Sequence, residues 1–229
     1  TIVWAGTGKD WDLQTSPNWL YNNVSEIFVS GDSVIFNFTG NGQNSVNLIG
    51  ELPVSNMIVE TTNNDYSFSG TGNISGIGGI KKDGKNKLSL LNKNNTYTGK
   101  NIINQGTLEI SYLDDAGLPS SIGASSSVSP SEIVFNNAKL KYIGNYDAYT
   151  NRGMTFNGVY DTIEVVNAGK MLTLKGVITG NARLVKSGQG LLSFLGQVNT
   201  YSGGTVIKQG TLKLNDDVAN VSGLGSGNI

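Results

Sequence analysis

The chain has 229 residues and a net charge of −1, and its charged residues amount to 14%, well below the roughly 25% of average soluble proteins. It contains no histidine and no cysteine, which excludes a Ser-His-Asp triad, a histidine-bearing zinc site and a disulfide framework. The lack of a basic field argues against a nucleic-acid partner. No apolar run approaches the ~20 residues of a membrane-spanning helix.

The N-terminal segment holds all three tryptophans of the chain, Trp4, Trp11 and Trp19. An open end of a stacked structure exposes apolar core and unpaired strand edges. We therefore expect residues 1–30 to form an N-terminal cap in which these rings pack. The alternative is a platform on which sugars stack, because aromatic faces are useful in recognition.

Short apolar segments with alternating pattern follow along the chain, bounded by Gly and Asn. They are rich in Val, Ile, Thr and Phe and have a period of two, which predicts strands. No window of 12 residues keeps a helical spacing with capping signals, so we expect an all-β protein with almost no α-helix. These segments are SVIFNF, KLSLL, GTLEIS, EIVF, KLKYI, TIEVV, MLTLK and TVIKQGTLKL.

Two blocks, 80–111 and 184–215, align without a gap at an offset of 104 residues, and 14 of their 32 positions are identical. A sandwich has no reason to duplicate such a block in register, whereas in a solenoid each coil packs only on its neighbours. The repeat predicts a right-handed parallel β-helix that forms a single domain over residues 1–229. With ~20 to 25 residues per coil, the offset corresponds to about five coils and the chain to about ten.

The repeated phrase Q-G-T-L places one glycine of each copy, Gly106 and Gly210, where a tight corner needs a positive φ. Stacked asparagines at corners are expected to form amide ladders. The predicted interior of the two copies consists of Leu88, Leu91, Ile103, Leu108, Leu192, Leu195, Ile207 and Leu212.

Two acidic pairs, Asp114-Asp115 and Asp216-Asp217, lie a few residues after GTL in the two copies. We interpret them as loop residues at the point where the chain leaves a strand. The alternatives are the paired acids of a polysaccharide hydrolase, with separated acid and base roles, and weak calcium binding. We expect no catalytic residue, no metal site and no cofactor.

Contact residues are sought in two places. The segment YIGNYDAYTNRG contains Tyr146, Tyr149 and Arg152, residue types that anchor protein interfaces. The second candidate is a lysine group that would contact an acidic glycan or an acidic receptor surface, with a solvated turn as the alternative. Its members are Lys81, Lys82, Lys85 and Lys87.

The phrase N-T-Y-[ST]-G, a β-branched run and Q-G-T-L resembles the passenger-associated transport repeat of bacterial autotransporters, the type V secreted proteins. NAKLKYIG with Arg152 and MTFNG, and the opening VWAGTGKDWDLQTSPNWL with SGDSVIF, are similar to other parts of such passengers. The resemblance covers nearly all of the chain. It implies export across the outer membrane, with a signal peptide and a C-terminal translocator barrel elsewhere in the full-length protein.

The resemblance implies a secreted or surface-exposed, virulence-associated interaction protein rather than an enzyme. It would bind a host cell-surface protein or a matrix component, either as an adhesin or as a released receptor-binding effector, with no direct insertion of this segment into a membrane. A self-associating aggregation factor, a carboxylate-dependent polysaccharide-active enzyme and a structural stalk remain alternatives, because fold alone does not choose among them.

Overall fold

The computed structural model describes residues 1–39, 42–196, 198–215 and 223–227. Within these residues the chain forms 24 strands and one 3₁₀ turn at Pro130–Glu132. Almost all pairings join strands of successive coils in parallel, and together they build a parallel β-solenoid. The predicted all-β fold with almost no helix is therefore confirmed.

The first sheet has eleven strands. The two strands at one edge of this sheet, β3 (Trp19–Tyr21) and β4 (Val24–Glu26), run antiparallel to their neighbours, and the others pair in parallel. The first sheet contains β1 (Ile2–Trp4), β3 (Trp19–Tyr21), β4 (Val24–Glu26), β5 (Asp32–Phe36), β7 (Glu51–Glu60), β9 (Asn73–Ser75), β10 (Ile80–Asp83), β12 (Asn101–Ile103), β14 (Ile133–Phe135), β17 (Met154–Phe156) and β20 (Ile178–Gly180).

The second sheet has nine strands and the third sheet has four, all parallel. The second sheet contains β2 (Asp10–Trp11), β6 (Ser45–Leu48), β8 (Tyr66–Gly70), β11 (Lys87–Leu90), β13 (Gly106–Ile110), β15 (Ala138–Tyr142), β18 (Tyr160–Val165), β21 (Arg183–Ser187) and β23 (Thr205–Ile207). The third sheet contains β16 (Ala148–Thr150), β19 (Met171–Leu174), β22 (Leu191–Leu195) and β24 (Thr211–Asn215).

The winding has about eight turns rather than the predicted ten. Typical register partners such as Ile80 and Asn101 are 21 residues apart. Two coils are longer, because Ile2 pairs with Val34 and Asn101 pairs with Ile133, each 32 residues further along the chain. In the first of these coils the extra residues include the antiparallel strands β3 and β4, and in the second they form a loop after β13, so the same chain length gives fewer turns.

The two repeat copies lie on different sheets. In the first copy, β10 and β12 belong to the first sheet and β11 and β13 to the second. In the second copy, β21 and β23 belong to the second sheet and β22 and β24 to the third. The offset of 104 residues therefore comprises four coils and one further side of the solenoid, and the expectation of five whole coils is wrong.

The interior follows the alternation of the strands. Leu88, Ile103 and Leu192 have no exposed surface and Leu108 has 1%. Leu91 is 37% exposed because it follows the last inward residue of β11, and the predicted inward orientation of Leu91 is wrong. Ile207 is 47% exposed at the end of β23, the outermost strand of the second sheet in the described residues, whereas its counterpart Ile103 is covered by β14.

The glycine corners are as expected. Gly106 and Gly210 have φ of +72° and +73°. A Cβ on Gly106 would overlap the carbonyl oxygen of Asn86, and a Cβ on Gly210 would overlap that of Gly188. Both copies therefore need glycine for the backbone angle and for close approach of the preceding coil.

A predicted amide ladder is present at the corner that follows the first sheet. The Asn104 Nδ2 donates to Asp83 Oδ1 at 2.6 Å, and the Asn136 Nδ2 donates to Asn104 Oδ1 at 2.9 Å. Each side chain thus satisfies the one from the neighbouring coil, which holds successive corners in register.

Candidate interaction surface

The longest loop of the solenoid's middle coils lies between β13, which ends at Ile110, and the 3₁₀ turn that begins at Pro130. This segment, residues 111–129, is named here the inserted loop. It supplies the extra residues of the 32-residue coil that joins Asn101 to Ile133. Tyr146, Tyr149 and Arg152 follow β15 on the next coil, so three of the predicted contact residues lie beside this loop.

Arg152, on the coil that follows, holds the inserted loop through hydrogen bonds to its backbone. Its Nε donates to Asp114 O at 3.0 Å, and one terminal nitrogen donates to the carbonyl oxygens of Asp115, Leu118 and Gly123 at 3.2, 3.0 and 3.1 Å. Burial lowers the pKa of the guanidinium from its ordinary value, yet an arginine remains charged. With 3% of its surface exposed, Arg152 positions the loop and does not reach a partner.

A second set of contacts joins the loop to residues 150–175. The Asn151 N–H donates to Asp115 Oδ1 at 2.7 Å, and the Ala116 N–H donates to Asn151 Oδ1 at 2.8 Å. The Lys175 Nζ lies 3.0 Å from Asp115 Oδ2. The side chain of Asp115 is therefore committed to holding the loop in place.

The aromatic residues at the loop form a cluster. The Tyr146 ring centroid lies 5.3 Å from that of Tyr112 and 6.4 Å from that of Tyr142. The Tyr146 hydroxyl donates to Ser111 O at 2.5 Å, and the Tyr142 hydroxyl donates to Tyr146 O at 2.7 Å. Burial raises the pKa of Tyr146 to about 12, so this donor stays protonated at physiological pH.

One tyrosine of this cluster, Tyr146, remains accessible, and so does Tyr149 on strand β16. Tyr146 is 40% exposed, and Tyr149, which points outward from β16, is 46% exposed. The loop adds Leu118, which is 48% exposed. We name Tyr146 and Tyr149 the aromatic surface. Sequence reasoning missed Tyr112, because it does not belong to the repeat phrase and only the loop conformation brings it to Tyr146.

The four candidate lysines divide by the alternation of β10 and β11. The Lys81 side chain is 49% exposed and its Nζ lies 3.1 Å from Asp83 Oδ2. The Lys87 Nζ lies 3.2 Å from Glu109 Oε1, and Lys85 is exposed. Lys82 has no exposed surface. A lysine patch for an acidic partner would therefore consist of Lys81, Lys85 and Lys87 without Lys82.

The Lys82 ammonium joins two coils from inside. Its Nζ donates to the carbonyl oxygens of Gly84 and Gln105, both at 2.7 Å. Burial lowers the pKa of Lys82 to about 8, against the opposing effect of Asp83 and Asp65. Two features of the sequence indicated an inward lysine. Lys82 lies two residues after Ile80, so the strand alternation puts both on the side opposite Lys81. A lysine also occupies the equivalent position of the second copy, Lys186.

The acidic pair of the first copy is used within the fold. The Asp114 Oδ2 accepts from the Tyr112 hydroxyl at 3.1 Å and its Oδ1 accepts from the Asp115 N–H at 2.8 Å. Since Asp115 contacts Asn151 and Lys175, the Asp114-Asp115 pair stabilises the inserted loop. The second pair, Asp216-Asp217, lies outside the described residues. Among the described residues, no three acidic side chains come together in a metal-binding arrangement.

The N-terminal tryptophans pack against each other in the interior. Trp4, Trp11 and Trp19 have no exposed surface, and the ring centroids of Trp4–Trp19 and Trp11–Trp19 are 5.0 and 5.3 Å apart in edge-to-face contact. No ring face is left for a sugar. The division of residues 1–30 as a separate cap stays a prediction. In the described part of the chain, no helix is long and apolar enough to cross a bilayer.

Comparison with known proteins gives two matches. The model of the passenger-associated-transport-repeat matches residues 80–110 and 184–214. The chain is also 38% identical over 154 residues to a protein of Brucella suis biovar 1 (strain 1330) named "Adhesin BmaC autotransporter". This match covers 67% of the chain and 4% of that relative's length. No solved structure matches the chain.

The repeat phrase, the parallel solenoid and the relative agree. The family places the chain outside the outer membrane, secreted or at the bacterial cell surface. The chain is a passenger segment of a bacterial autotransporter that contains two passenger-associated transport repeats.

Proposed function

We propose that this passenger segment is an adhesive contact module of the bacterial surface, that it acts without catalysis, and that it binds a protein on host cells or in the extracellular matrix. The observation that carries the proposal is the aromatic surface, in which Tyr146 and Tyr149 are exposed while Arg152 holds the supporting loop. Aromatic side chains on a preorganised support are preferred anchors of protein interfaces. The relative named an adhesin supports the same class of function.

The alternative of a carboxylate-dependent enzyme has less support. Asp114 and Asp115 are engaged by Tyr112, Asn151 and Lys175. An acid-base pair needs carboxyl groups that face a substrate cleft and have separated pKa values. The roles of these two side chains in the loop favour a structural use.

The test is binding of the purified, labelled segment to cultured mammalian cells and to immobilised matrix proteins. We expect saturable binding to one of these surfaces, lost after protease treatment of the surface. Tyr149→Ser should weaken binding by about tenfold or more, as for an interface anchor. Tyr160→Ser is the matched control, because Tyr160 is 55% exposed at the start of β18.

Tyr146→Phe adds a second comparison, because it keeps the ring and removes the hydrogen bond to Ser111. Binding should fall less for Tyr146→Phe than for Tyr146→Ser. If Tyr149→Ser binds as the unmodified segment does, or if Tyr160→Ser weakens binding equally, the aromatic surface is not the contact site. Absence of saturable binding to any surface would contradict the adhesive function itself.

A further inference from the structure

Phe38 is the most exposed aromatic side chain among the described residues, with 69% of its surface accessible. It lies two residues after the end of β5, beside a cavity of about 250 Å³. The rest of the lining comes from the last residue of β7 and the segment that follows it, and all of these side chains are polar. We name as the corner cavity the residues Phe38, Glu60, Thr62, Asn63 and Asn64.

The backbone on both sides of Phe38 is fixed by hydrogen bonds. The Tyr66 hydroxyl donates to Asn37 O at 2.6 Å, and the Thr39 N–H donates to Asn37 Oδ1 at 2.9 Å. Because the two residues that flank Phe38 are held, its ring is presented to solvent on a preorganised support, which lowers the entropic cost of binding a ligand.

The segment that forms the other wall of the cavity is also anchored. The Asn86 N–H donates to Thr61 O at 3.0 Å, and the Lys87 N–H donates to Asp65 Oδ1 at 2.8 Å. Residues 62–64 lie between these two contacts, so the next coil holds this segment at both ends.

Glu60 differs from its neighbours at the same corner of the solenoid. Asp83, its partner in register on the next coil, accepts from Asn104 at 2.6 Å and lies 3.1 Å from the Lys81 Nζ. The Glu60 carboxylate makes no hydrogen bond or ion pair with the described residues, and neither do the side chains of Thr62, Asn63 and Asn64. The polar groups of the corner cavity are therefore available to a ligand.

These groups match the hydroxyl groups and the ring of a sugar. An amide offers donors and an acceptor, a threonine hydroxyl offers both, and a carboxylate accepts. A sugar hydroxyl also donates and accepts. The electronegative face of an aromatic ring attracts the C–H groups on one side of a pyranose. The cavity is somewhat smaller than the ~300 to 1,000 Å³ of pockets for drug-sized ligands, so its size suits a single sugar ring.

The charge of the cavity selects among sugars and against cations. The unpaired Glu60 carboxylate disfavours an anionic sugar, because like charges repel. A cationic group offers donors and no acceptor, so it would leave the N–H groups of Asn63 and Asn64 without a partner. A neutral sugar satisfies both kinds of group.

We propose that the corner cavity is a binding subsite for a neutral sugar unit of a glycan. Phe38 packs against one face of the pyranose ring, and Glu60, Asn63 and Asn64 bind its hydroxyl groups. This goes beyond adhesion to a protein partner. The corner cavity shares no residue with the aromatic surface, so the two sites can be tested separately.

Saturation-transfer NMR of the purified segment tests the proposal. The neutral probes are the methyl glycosides of glucose, galactose, mannose and N-acetylglucosamine, and the charged probes are galacturonic acid and tetramethylammonium. At least one neutral glycoside should receive saturation, most strongly at the C–H protons on one face of its ring. Phe38→Ser should weaken its binding by about tenfold or more, as for the loss of an anchor, whereas Phe38→Trp should keep it.

A pair of glutamate variants tests the polar half of the site. Glu60→Ala should weaken binding by about tenfold, because hydrogen bonds to charged groups are the stronger ones. Glu51→Ala is the matched control, since Glu51 is an exposed glutamate at the opposite end of β7, and it should bind as the unmodified segment does. Tyr149→Ser should also leave sugar binding unchanged, which separates this subsite from the aromatic surface.

Far-ultraviolet circular dichroism verifies that each variant is folded. The proposal is overturned if no neutral glycoside receives saturation, or if folded Phe38→Ser binds as tightly as the unmodified segment. Equal losses in Glu60→Ala and Glu51→Ala would also overturn it. So would stronger binding of galacturonic acid or tetramethylammonium than of every neutral glycoside.

Discussion

Lys82 and Lys186 make the same contact on two different sheets of the solenoid. The Lys82 Nζ donates to Gly84 O and Gln105 O, and the Lys186 Nζ donates to Gly188 O and Gln209 O, at 2.7 and 3.0 Å. Both side chains are fully buried. Each lysine contacts carbonyl oxygens of its own repeat copy. The copy therefore stabilises its own corner, whichever sheet it occupies.

Other positions of the repeat also make equivalent contacts in both copies. The Tyr97 hydroxyl donates to Asn101 Oδ1 at 2.7 Å, and the Tyr201 hydroxyl is 2.7 Å from Thr205 Oγ1. The Oδ1 of Asn95 accepts from the Ile74 N–H, and that of Asn199 from the Ile178 N–H. Identity between the copies thus falls largely on structural contacts.

Gly106→Ala should destabilise the fold by several kcal/mol. The alanine would have to adopt a φ of +72°, which costs roughly 1 kcal/mol, and its Cβ would also overlap Asn86 O. Gly50→Ala is the matched control, since Gly50 has a φ of +71° and nothing within 4 Å of an added Cβ. Urea unfolding of both variants separates the two effects. Equal losses would show that close packing at Gly106 is unimportant.

The free energy of unfolding should rise between pH 8 and pH 10. Burial lowers the pKa of folded Lys82 to about 8, whereas an unfolded lysine titrates near 10.4. In this window the unfolded chain binds more protons, so stability increases by at most about 1.4 kcal/mol per pH unit for this group. Burial lowers the pKa of Lys186 also, which adds in the same direction.

Above pH 10 the trend should reverse. Burial raises the pKa of Tyr66 to about 12, so the unfolded tyrosine ionises first, near pH 10, and stability then falls. Urea titrations at pH 7 to 11 measure both the rise and the fall of the free energy of unfolding. Lys82→Met should flatten the rise, while Lys81→Met, which changes an exposed lysine, should keep it. A rise that is unaltered in Lys82→Met would contradict the assignment.

Arg152→Lys should loosen the inserted loop while leaving the solenoid folded. Lysine keeps the charge but lacks the fork that reaches the four carbonyl oxygens of Asp114, Asp115, Leu118 and Gly123. Hydrogen exchange at residues 112–123 should accelerate at least about tenfold. Arg183→Lys is the control, because Arg183 is exposed and, among the described residues, donates to Gly203 O alone, at 3.2 Å. Unchanged exchange in the loop would refute the anchoring role.

Glu109→Gln should reduce stability at pH 7 and make little difference at pH 3. Burial alone would raise the pKa of Glu109, but hydrogen bonds from Lys141, Ser89 and Lys87 lower it below its ordinary value. The folded state then binds fewer protons than the unfolded chain, so this stability is present at neutral pH and is lost as pH falls below about 4.5. Thermal unfolding at the two pH values measures the difference. A loss that persists at pH 3 would indicate a packing effect instead.

The sequence allowed prediction of the features that depend on local pattern. Period-two segments became strands, Gly106 and Gly210 became corners, and the duplicated block revealed the solenoid. The inward position of Lys82 was missed because a lysine between Ile80 and Leu88 looks like a surface residue. Only the carbonyl oxygens of Gly84 and Gln105, brought together by the winding, make its burial tolerable.

The number of turns and the contact surface depended on tertiary structure. A 32-residue coil and a 21-residue coil look alike in sequence, because both consist of alternating segments and turn residues. For the same reason the rotation of the second copy onto the next sheet was not predictable. The Leu118 carbonyl oxygen accepts a hydrogen bond from Arg152 only because the loop folds back, a contact between residues 34 positions apart.

In the 32-residue coil that joins Asn101 to Ile133, the residues that stabilise the stack are separate from those of the inserted loop. Ile103 pairs with Phe135, and Phe135 with Phe156, in unbroken register on both sides of the excursion. The paired strands therefore hold the solenoid together, and the inserted loop is free to change in length and composition. Diversification of the inserted loop need not disturb the scaffold, and a foreign peptide inserted near Leu118 should be displayed on an intact solenoid.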